Sequence, residues 1–359
     1  MSVISFARGA PSPECLDVGL LADCATAALE RDGRTILAYG TGGGYGPLRE
    51  LLAARHGVDP GRVFVTVGGL QGFVFYAAVQ LELRPGRVLV EAPTYDRPLK
   101  ILRRHGAEVV GLPMDEEGLD PDALEAELAR GGDISFLYTI PTFQNPSGRT
   151  LGEDRRRRIV ELSAQYDLHV LEDDPYGLVR YEGEPPPSLH ELEGGRLVTY
   201  ASSFSKTVAP GLRVGWFTAP AELAARLEAR AVSNYISPPF LSQATVFELI
   251  DRGGFEPNLE RIKGLLRTRR DAMLEALGRE LAGTATWSEP EGGYFLWVDV
   301  PGDAAELLER AETAGVSFVK GSDFFPDDTG ARSARLAFSY ASPSEIGSGV
   351  STLASLLRA

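Results

Sequence analysis

Cysteine is nearly missing from this chain: Cys15 and Cys24 are the only two in 359 residues. A disulfide framework is therefore excluded, and a reducing compartment, the cytoplasm, is the expectation. With no histidine near them, the pair reads as two buried small apolar side chains, and no metal site is expected. Positive charge is also short, with 36 Lys and Arg against 50 Asp and Glu and a net charge of −14. Nucleic acid and anionic membrane surfaces both call for a basic face, so neither is expected as a partner. A local cluster of arginines can still oppose the global sign and hold an anionic ligand. No apolar run approaches the roughly 18 residues of a membrane span. The first eight residues lack a basic stretch followed by an apolar one, so no signal peptide is expected.

What the chain does have is 40 glycines and 24 prolines in short clusters, which read as loop punctuation. Between them, short apolar runs alternate with longer amphipathic stretches from Arg62 to about Ala219. Seven runs are strand candidates: Arg62–Val67, Arg87–Glu91, Glu108–Leu112, Ile134–Tyr138, His169–Glu172, Leu197–Ala201 and Val214–Ala219. Tyr95–His105, Pro121–Arg130 and Glu153–Tyr166 are helix candidates, with Asp120 an N-cap before a first-position proline. The run Arg155–Arg158 reads as a solvated helix face. Strand–helix–strand repetition predicts an α/β fold, a mainly parallel seven-stranded sheet sandwiched by helices. Toward the ends the pattern changes. One helix is expected near Leu20–Arg31 and a long helical stretch over Leu241–Gly278. Strand Gly293–Val300, helix Ala304–Ala314, strands Val316–Val319 and Arg335–Tyr340, and a last helix from Ser344 follow. The predicted division is a large α/β unit over 39–250 and a small α+β unit assembled from 1–38 and 251–359.

In an open parallel sheet, ligands sit beyond the carboxyl ends of the strands, so the polar residues there carry the functional argument. Gly68-Gly69-Leu70-Gln71 follows the first strand and opens a helix to Leu83. Two glycines leave N–H groups unobstructed at the positive end of that helix, which suits a phosphate, although a plain tight turn uses the same residues. Neither this segment nor the Gly40–Gly46 cluster has the spacing of a dinucleotide fingerprint. Pro141-Thr142-Phe143-Gln144-Asn145-Pro146-Ser147-Gly148 follows another strand, and its prolines stiffen the loop and hold Asn145 in one direction. Glu172-Asp173-Asp174-Pro175-Tyr176 ends a third. A carboxylate there needs a cationic or protonated partner, or else caps the next helix, and Tyr176 can reach the same ligand. Ser202-Ser203-Phe204-Ser205-Lys206, with Pro210-Gly211-Leu212-Arg213 after it, sets a lysine among hydroxyls and beside an arginine. A positive neighbour lowers the lysine's pKa, and the neutral amine is the form that condenses with an aldehyde. Ser203, Ser205 and Arg213 together can hold one phosphate. These parts describe a ligand with a phosphate, an aldehyde, a ring nitrogen for Asp173, a phenolic oxygen for Asn145 and Tyr176, and a flat face for Tyr95. Pyridoxal 5′-phosphate has all of them.

In these motifs the chain resembles the fold-type I, class I pyridoxal-phosphate aminotransferases. Within them it is similar to the 2-aminoadipate, kynurenine and branched-chain aminotransferase group, which also supplies the C-terminal domain of MocR-type regulators. The likeness runs from Ser5-Phe6-Ala7-Arg8-Gly9-Ala10-Pro11 through Tyr39-Gly40 and Gly44-Tyr45-Gly46-Pro47-Leu48-Arg49, and through the four central motifs to Arg335-Leu336-Ala337-Phe338-Ser339. It implies an enzyme that moves an amino group between an α-amino acid and a 2-oxo acid by a ping-pong cycle. It implies that Lys206 forms the Schiff base and shuttles the proton, that Asp173 keeps the ring nitrogen protonated, and that Asn145 and Tyr176 bond the phenolic oxygen. Gly69, Leu70, Ser203, Ser205 and Arg213 would bind the phosphate, and Tyr39 would reach the phosphate of the neighbouring subunit in a homodimer. Arg335 would grip the substrate α-carboxylate in a bidentate pair, with Asn145, Arg8 and Gly40 as further substrate contacts. Three residues depart from the family's usual choices: Arg8 where glycine is common, Gly43 where glutamate is, and Lys320 where glycine or proline is. Arg8, facing the site, would favour an acidic or polar substrate side chain. The same scaffold and lysine also serve lyases, decarboxylases and cyclases acting on amino acids. A ligand-sensing regulator is a third reading, but with the likeness beginning at residue 5 in an acidic chain, a helix-turn-helix domain is not expected.

Overall fold

The structure, a computed structural model, describes residues 3–327 and 329–358. Its centre is an eight-stranded sheet. Numbered along the chain, the strands are β1 (Val63–Thr66), β2 (Arg87–Ala92), β3 (Val109–Asp115), β4 (Gly118–Leu119), β5 (Ile134–Thr139), β6 (Val170–Asp173), β7 (Val198–Ser203) and β8 (Gly215–Thr218). Across the sheet they lie in the order β1-β8-β7-β6-β5-β2-β3-β4. The pairs from β7 through β6, β5 and β2 to β3 are parallel, whereas β8 runs antiparallel to both β1 and β7. All seven expected strands are present. The eighth, β4, is a two-residue return of β3 through Glu116 and Glu117, too short to leave a periodic signal.

Alternation along the strands sets the layers. Val88 and Val90 of β2, with Phe136 and Tyr138 of β5, pack in one buried cluster with Phe73 and Tyr76 of the helix Gly69–Leu83. Their neighbours Leu89 and Leu137 face the opposite way, against Leu124, Ile159 and Leu162 of the helices Pro121–Ala129 and Glu153–Tyr166. Strands buried on both faces read as continuous apolar runs, which is how they looked in sequence. The helix Glu153–Tyr166 opens on two carboxylates at its positive end and stops at Asp167, whose φ of 51° is left-handed. The arginine run on this helix is a solvated face with one exception. Arg156, 1% exposed, turns inward and donates to Pro141 O (2.9 Å), Thr142 Oγ1 (2.8 Å) and Leu151 O (2.7 Å), while Arg155, Arg157 and Arg158 pair with surface carboxylates.

A second, antiparallel sheet is built from Thr286–Trp287, Phe295–Asp299, Ser333–Ala337 and Val319–Lys320, in that order. Leu296 and Leu336 of this sheet share a cluster with Leu277, Leu307 and Val350 of the helices Phe255–Leu281, Ala304–Thr313 and Pro343–Arg358. Ile4–Ser5 pairs in parallel with Val316–Ser317, and Phe6 and Cys15 are buried in the same cluster. The helix Val18–Ile36 packs elsewhere, its Cys24, Ala28 and Ile36 against Tyr45, Leu48 and Phe240. Within the 1–38 segment, then, the part before residue 18 joins the C-terminal elements, and the helix after it joins the elements of 39–250. The long helical stretch is two helices, Phe240–Asp251 and Phe255–Leu281. Both cysteines are buried and free. No helix among the described residues is long and apolar enough to cross a membrane.

Candidate active site

β8 lies between β1 and β7 and draws their carboxyl ends together. Gly215 is the register partner of Thr66 and of Ser203 at once, and a Cβ on it would stand 2.5 Å from Gly69 N. Gly68, at φ +85°, turns the chain into the helix Gly69–Leu83, whose N-terminus has no side-chain cap. A Cβ at Gly68 would meet Arg213 Nη2 at 2.3 Å. The first N–H groups of that helix therefore converge with the Ser203 and Ser205 hydroxyls and the Arg213 guanidinium. Ser203 Oγ donates to Ser205 Oγ at 2.8 Å, and Arg213 Nη1 reaches Ser205 Oγ at 3.4 Å. The remaining Arg213 contacts are carbonyls, Pro210 O at 3.2 Å and Val67 O at 3.4 Å. Such a donor set, crowded around a position that only glycine allows, fits a dianionic phosphate.

The chain has four lysines. Lys100, Lys263 and Lys320 each lie within 4 Å of a carboxylate three or four residues away. Lys206 pairs with none among the described residues. Half-buried, its Nζ donates to Gly9 O at 2.6 Å and lies 5.1 Å from the Tyr294 ring centroid and 5.6 Å from that of Tyr176. Burial, then the positive charges of Arg335 and Arg213, push its pKa down from 10.5 to about 8. At the end of β6, Asp173 Oδ2 accepts from Tyr138 OH at 2.8 Å. Burial pushes this carboxyl up from 3.8 to about 7 against that hydrogen bond, with Asp174 and Glu91 adding to the rise. The flanking acids are engaged otherwise. Glu172 accepts from Leu189 N and His190 N at the start of the helix Leu189–Glu193, and Asp174 accepts from Gly177 N. The helix-cap reading of the acidic run thus belongs to Glu172, and Asp173 faces the cavity.

Asn145 Oδ1 accepts from Arg335 Nη1 at 2.9 Å, and Arg335 Nη2 donates to Ala7 O at 2.8 Å. Arg335 Nε has no partner among the described residues, and the guanidinium lies 4.3 Å from the Phe295 ring centroid. Tyr176 is buried edge-on to Phe295, and Tyr95 precedes the helix Asp96–Arg104 with its phenol pushed up to about 12 by burial. Gly69, Leu70, Tyr95, Asn145, Asp173, Tyr176, Ser203, Ser205, Lys206 and Arg213 all line one cavity of about 220 Å³. Phe73, Pro98, Ile140, Pro175 and Pro210 complete its wall.

Other singled-out residues lie outside that cavity. Tyr39 is 85% exposed, and Gly40 donates its N–H to Ser237 Oγ at 3.2 Å. Arg8 does not face the cavity: the carbonyls on either side of it, Ala7 and Gly9, turn inward, and its own side chain lies over Tyr340 at 4.4 Å. Lys320 is 3.8 Å from Asp323, and Gly43 abuts Arg49 and Glu228. Sequence reasoning missed Gly9, Tyr138 and Tyr294. Tyr294 OH donates to the Lys206 carbonyl at 2.8 Å. The contacts of Gly9 and Tyr294 with Lys206 span long stretches of chain, and nothing local marks those two residues.

A profile of the family described as aminotransferase class I and II matches residues 2–341. Aromatic-amino-acid aminotransferase 1 of Thermococcus litoralis is 35% identical over 369 aligned positions, covering 99% of this chain and 88% of that one. The kynurenine aminotransferase of Pyrococcus horikoshii, solved in complex with PMP, KYN as substrates and KYA as products, superposes with a TM-score of 0.95 at 34% identity, covering 100% of this chain and 91% of that one. The α-aminoadipate aminotransferase of Thermus thermophilus, complexed with N-(5′-phosphopyridoxyl)-L-leucine, gives a TM-score of 0.94 at 35% identity, with coverages of 99% and 92%.

Proposed function

The chain belongs to the class I and II aminotransferases, enzymes that transfer amino groups with pyridoxal 5′-phosphate, and from that premise we propose that Lys206 is the lysine that carries the cofactor and relays the proton. The observation behind this reading is an amine that pairs with no carboxylate among the described residues, its pKa lowered to about 8, in one cavity with a phosphate-shaped donor cradle and the half-buried Asp173 carboxyl. Bound there, the cofactor supplies an aldehyde that captures an amino group and a protonated ring that draws electrons from the adjacent carbon.

Gly69, Leu70, Ser203, Ser205 and Arg213 hold the phosphate. Asp173 pairs with the ring N–H, and the desolvation that makes it a reluctant lone anion makes a cationic partner the more favourable. Asn145 and Tyr176 would bond the phenolic oxygen, and Tyr95 would cover the ring. With its pKa lowered to about 8, Lys206 sheds its proton far more readily near neutral pH than a lysine of ordinary pKa, so it can accept the substrate's carbon-bound proton and return it. Arg335 takes the α-carboxylate of the amino acid or 2-oxo acid, which displaces the Ala7 carbonyl from Nη2. The small unit thereby contributes the substrate grip and the large one the cofactor seat.

The reading includes a homodimer. Leu37, Tyr39, Val232, Ile236 and Leu241 expose apolar surface, and the Gly40–Ser237 hydrogen bond ties the two segments that carry most of it. Tyr39 reaches the phosphate of the partner's site. Two free buried cysteines suit a cytoplasmic location.

The test is a half-reaction: protein charged with pyridoxal phosphate is mixed with single α-amino acids. Loss of the visible absorbance, with pyridoxamine phosphate recovered afterwards, is expected with at least one, and no pyridoxamine phosphate is expected from Lys206→Ala. Persistence of the absorbance with every amino acid tried would overturn the assignment.

A further inference from the structure

Two buried residues that do not line the cavity fasten the Asn145 loop from beneath. Glu91, 1% exposed on β2, accepts at both oxygens. Oε1 takes Thr139 Oγ1 at 2.5 Å and Ile140 N at 3.2 Å, and Oε2 takes Ile140 N at 3.1 Å and Gln144 Nε2 at 3.0 Å. Gln144, 1% exposed and next to Asn145, gives its other amide hydrogen to Pro93 O at 2.8 Å and accepts from Ser147 N at 2.8 Å. Its backbone N–H donates to Arg149 O, and its carbonyl accepts from Gly148 N. Thr139, Ile140 and Gln144 converge on the Glu91 carboxyl, and their hydrogen bonds counter the burial that pushes its pKa up. One amide thus ties the segment leading to Tyr95 to the loop bearing Asn145. Because Asn145 Oδ1 is taken by Arg335, the Asn145 group left for a ligand acceptor is Nδ2.

We propose that Glu91 and Gln144 are a positioning pair that aims the Asn145 Nδ2–H at the cofactor's phenolic oxygen and so sets that oxygen's proton affinity. The inference rests on the assignment of Asn145 to that oxygen. A donor held at hydrogen-bond distance favours the deprotonated oxygen, and a loop released from Glu91 lets the donor drift.

The experiment is a pH titration of the visible absorbance of the holoenzyme, with melting temperature recorded beside it. Asn145→Ala defines the full upward shift of the midpoint. Gln144→Ala, the volume-keeping Gln144→Met and the near-isosteric Glu91→Gln are each expected to move the midpoint up by at least half of that shift. Should Gln144→Ala fail to fold, the other two carry the test. A lowered melting temperature with the midpoint at its wild-type value in the folded variants overturns the proposal, because a merely structural role predicts that result. An Asn145→Ala midpoint equal to wild type overturns it through its premise. A wild-type protein with no visible band on adding pyridoxal phosphate refutes the cofactor reading instead.

Discussion

Methionine in place of Lys206 removes a half-buried charge that has no carboxylate partner, and the stability that it changes is expected to depend on pH. The unfolded chain holds this amine at the ordinary 10.5 and the folded chain at about 8. Because the folded value is the lower, the group opposes folding fully below pH 8, where it is charged in both states. Between 8 and 10.5 the folded chain releases its proton first and the opposition fades; above 10.5 it is gone. The gap of about 2.5 pH units corresponds to roughly 3 kcal/mol at pH 7, with less than half of it left at pH 9.5. Methionine keeps most of the stem against Tyr176 and Tyr294 but carries no charge, so the difference between wild type and variant isolates this group from every other titration. Chemical unfolding of both cofactor-free proteins at pH 7 and pH 9.5 measures it. Wild type is expected to gain about 2 kcal/mol on Lys206→Met between the two pH values. A difference that stays flat would mean a solvated amine of ordinary pKa, and the account of Lys206 as a base at neutral pH would fail with it.

Four other outcomes are expected. Arg335→Lys lowers kcat/KM for amino acids by ~100-fold, about 2.7 kcal/mol, through loss of the two-pronged grip, while the spectrum of the bound cofactor stays unchanged in an absorbance scan. Tyr138→Phe removes the hydrogen bond that holds Asp173 down, so the acid limb of cofactor affinity, measured by fluorescence quenching from pH 6 to 8.5, moves to higher pH. Gly68→Ala places a methyl on Arg213 at a left-handed φ and is expected to weaken cofactor binding by roughly 1–3 kcal/mol, read by equilibrium dialysis. In mixed dimers of Tyr39→Ala and Lys206→Ala subunits, one site per dimer regains both groups. Recovery of wild-type cofactor retention in half the sites is expected, and its absence would refute the contact across subunits.

That the cavity-lining residues meet at one place was legible because each of their segments is local. A strand, a turn and the polar group at its end fall within a few residues in Gly68–Gln71, Pro141–Gly148, Glu172–Tyr176 and Ser202–Lys206. A sheet that delivers all its parallel strand ends to one edge does the rest. The choice among three consecutive acids was less visible: Glu172 and Asp173 leave β6 on opposite faces, and only the packing of the helix Leu189–Glu193 shows which is consumed as a cap. Arg156 looked like its solvated neighbours because its carbonyl partners, Pro141 and Leu151, carry no side-chain signal. Arg8 is a related case: the carbonyls at residues 7 and 9 bond Arg335 and Lys206, a backbone role that sequence does not mark, while its own side chain lies over Tyr340. Strand direction was also hidden, since an apolar run such as β8 reads the same in both senses.

The reversed strand has a consequence for how the protein is made. Among the described residues β1 has no sheet neighbour other than β8, and Val63 pairs with Thr218, 155 residues later in the chain. A ribosome adding ~5–20 residues per second exposes the helix Gly69–Leu83 well before the strand that pins its start has been synthesised. Val63, Phe64 and Val65 are apolar, and until the chain reaches Gly215–Thr218 they lack the strand they pair with in the fold. The two halves of the anion cradle, the start of the helix Gly69–Leu83 and the segment Ser203–Arg213, are therefore synthesised well apart in time. On the reading proposed above, a dianion seated there would join the two halves as a staple and stabilise the folded sheet by mass action.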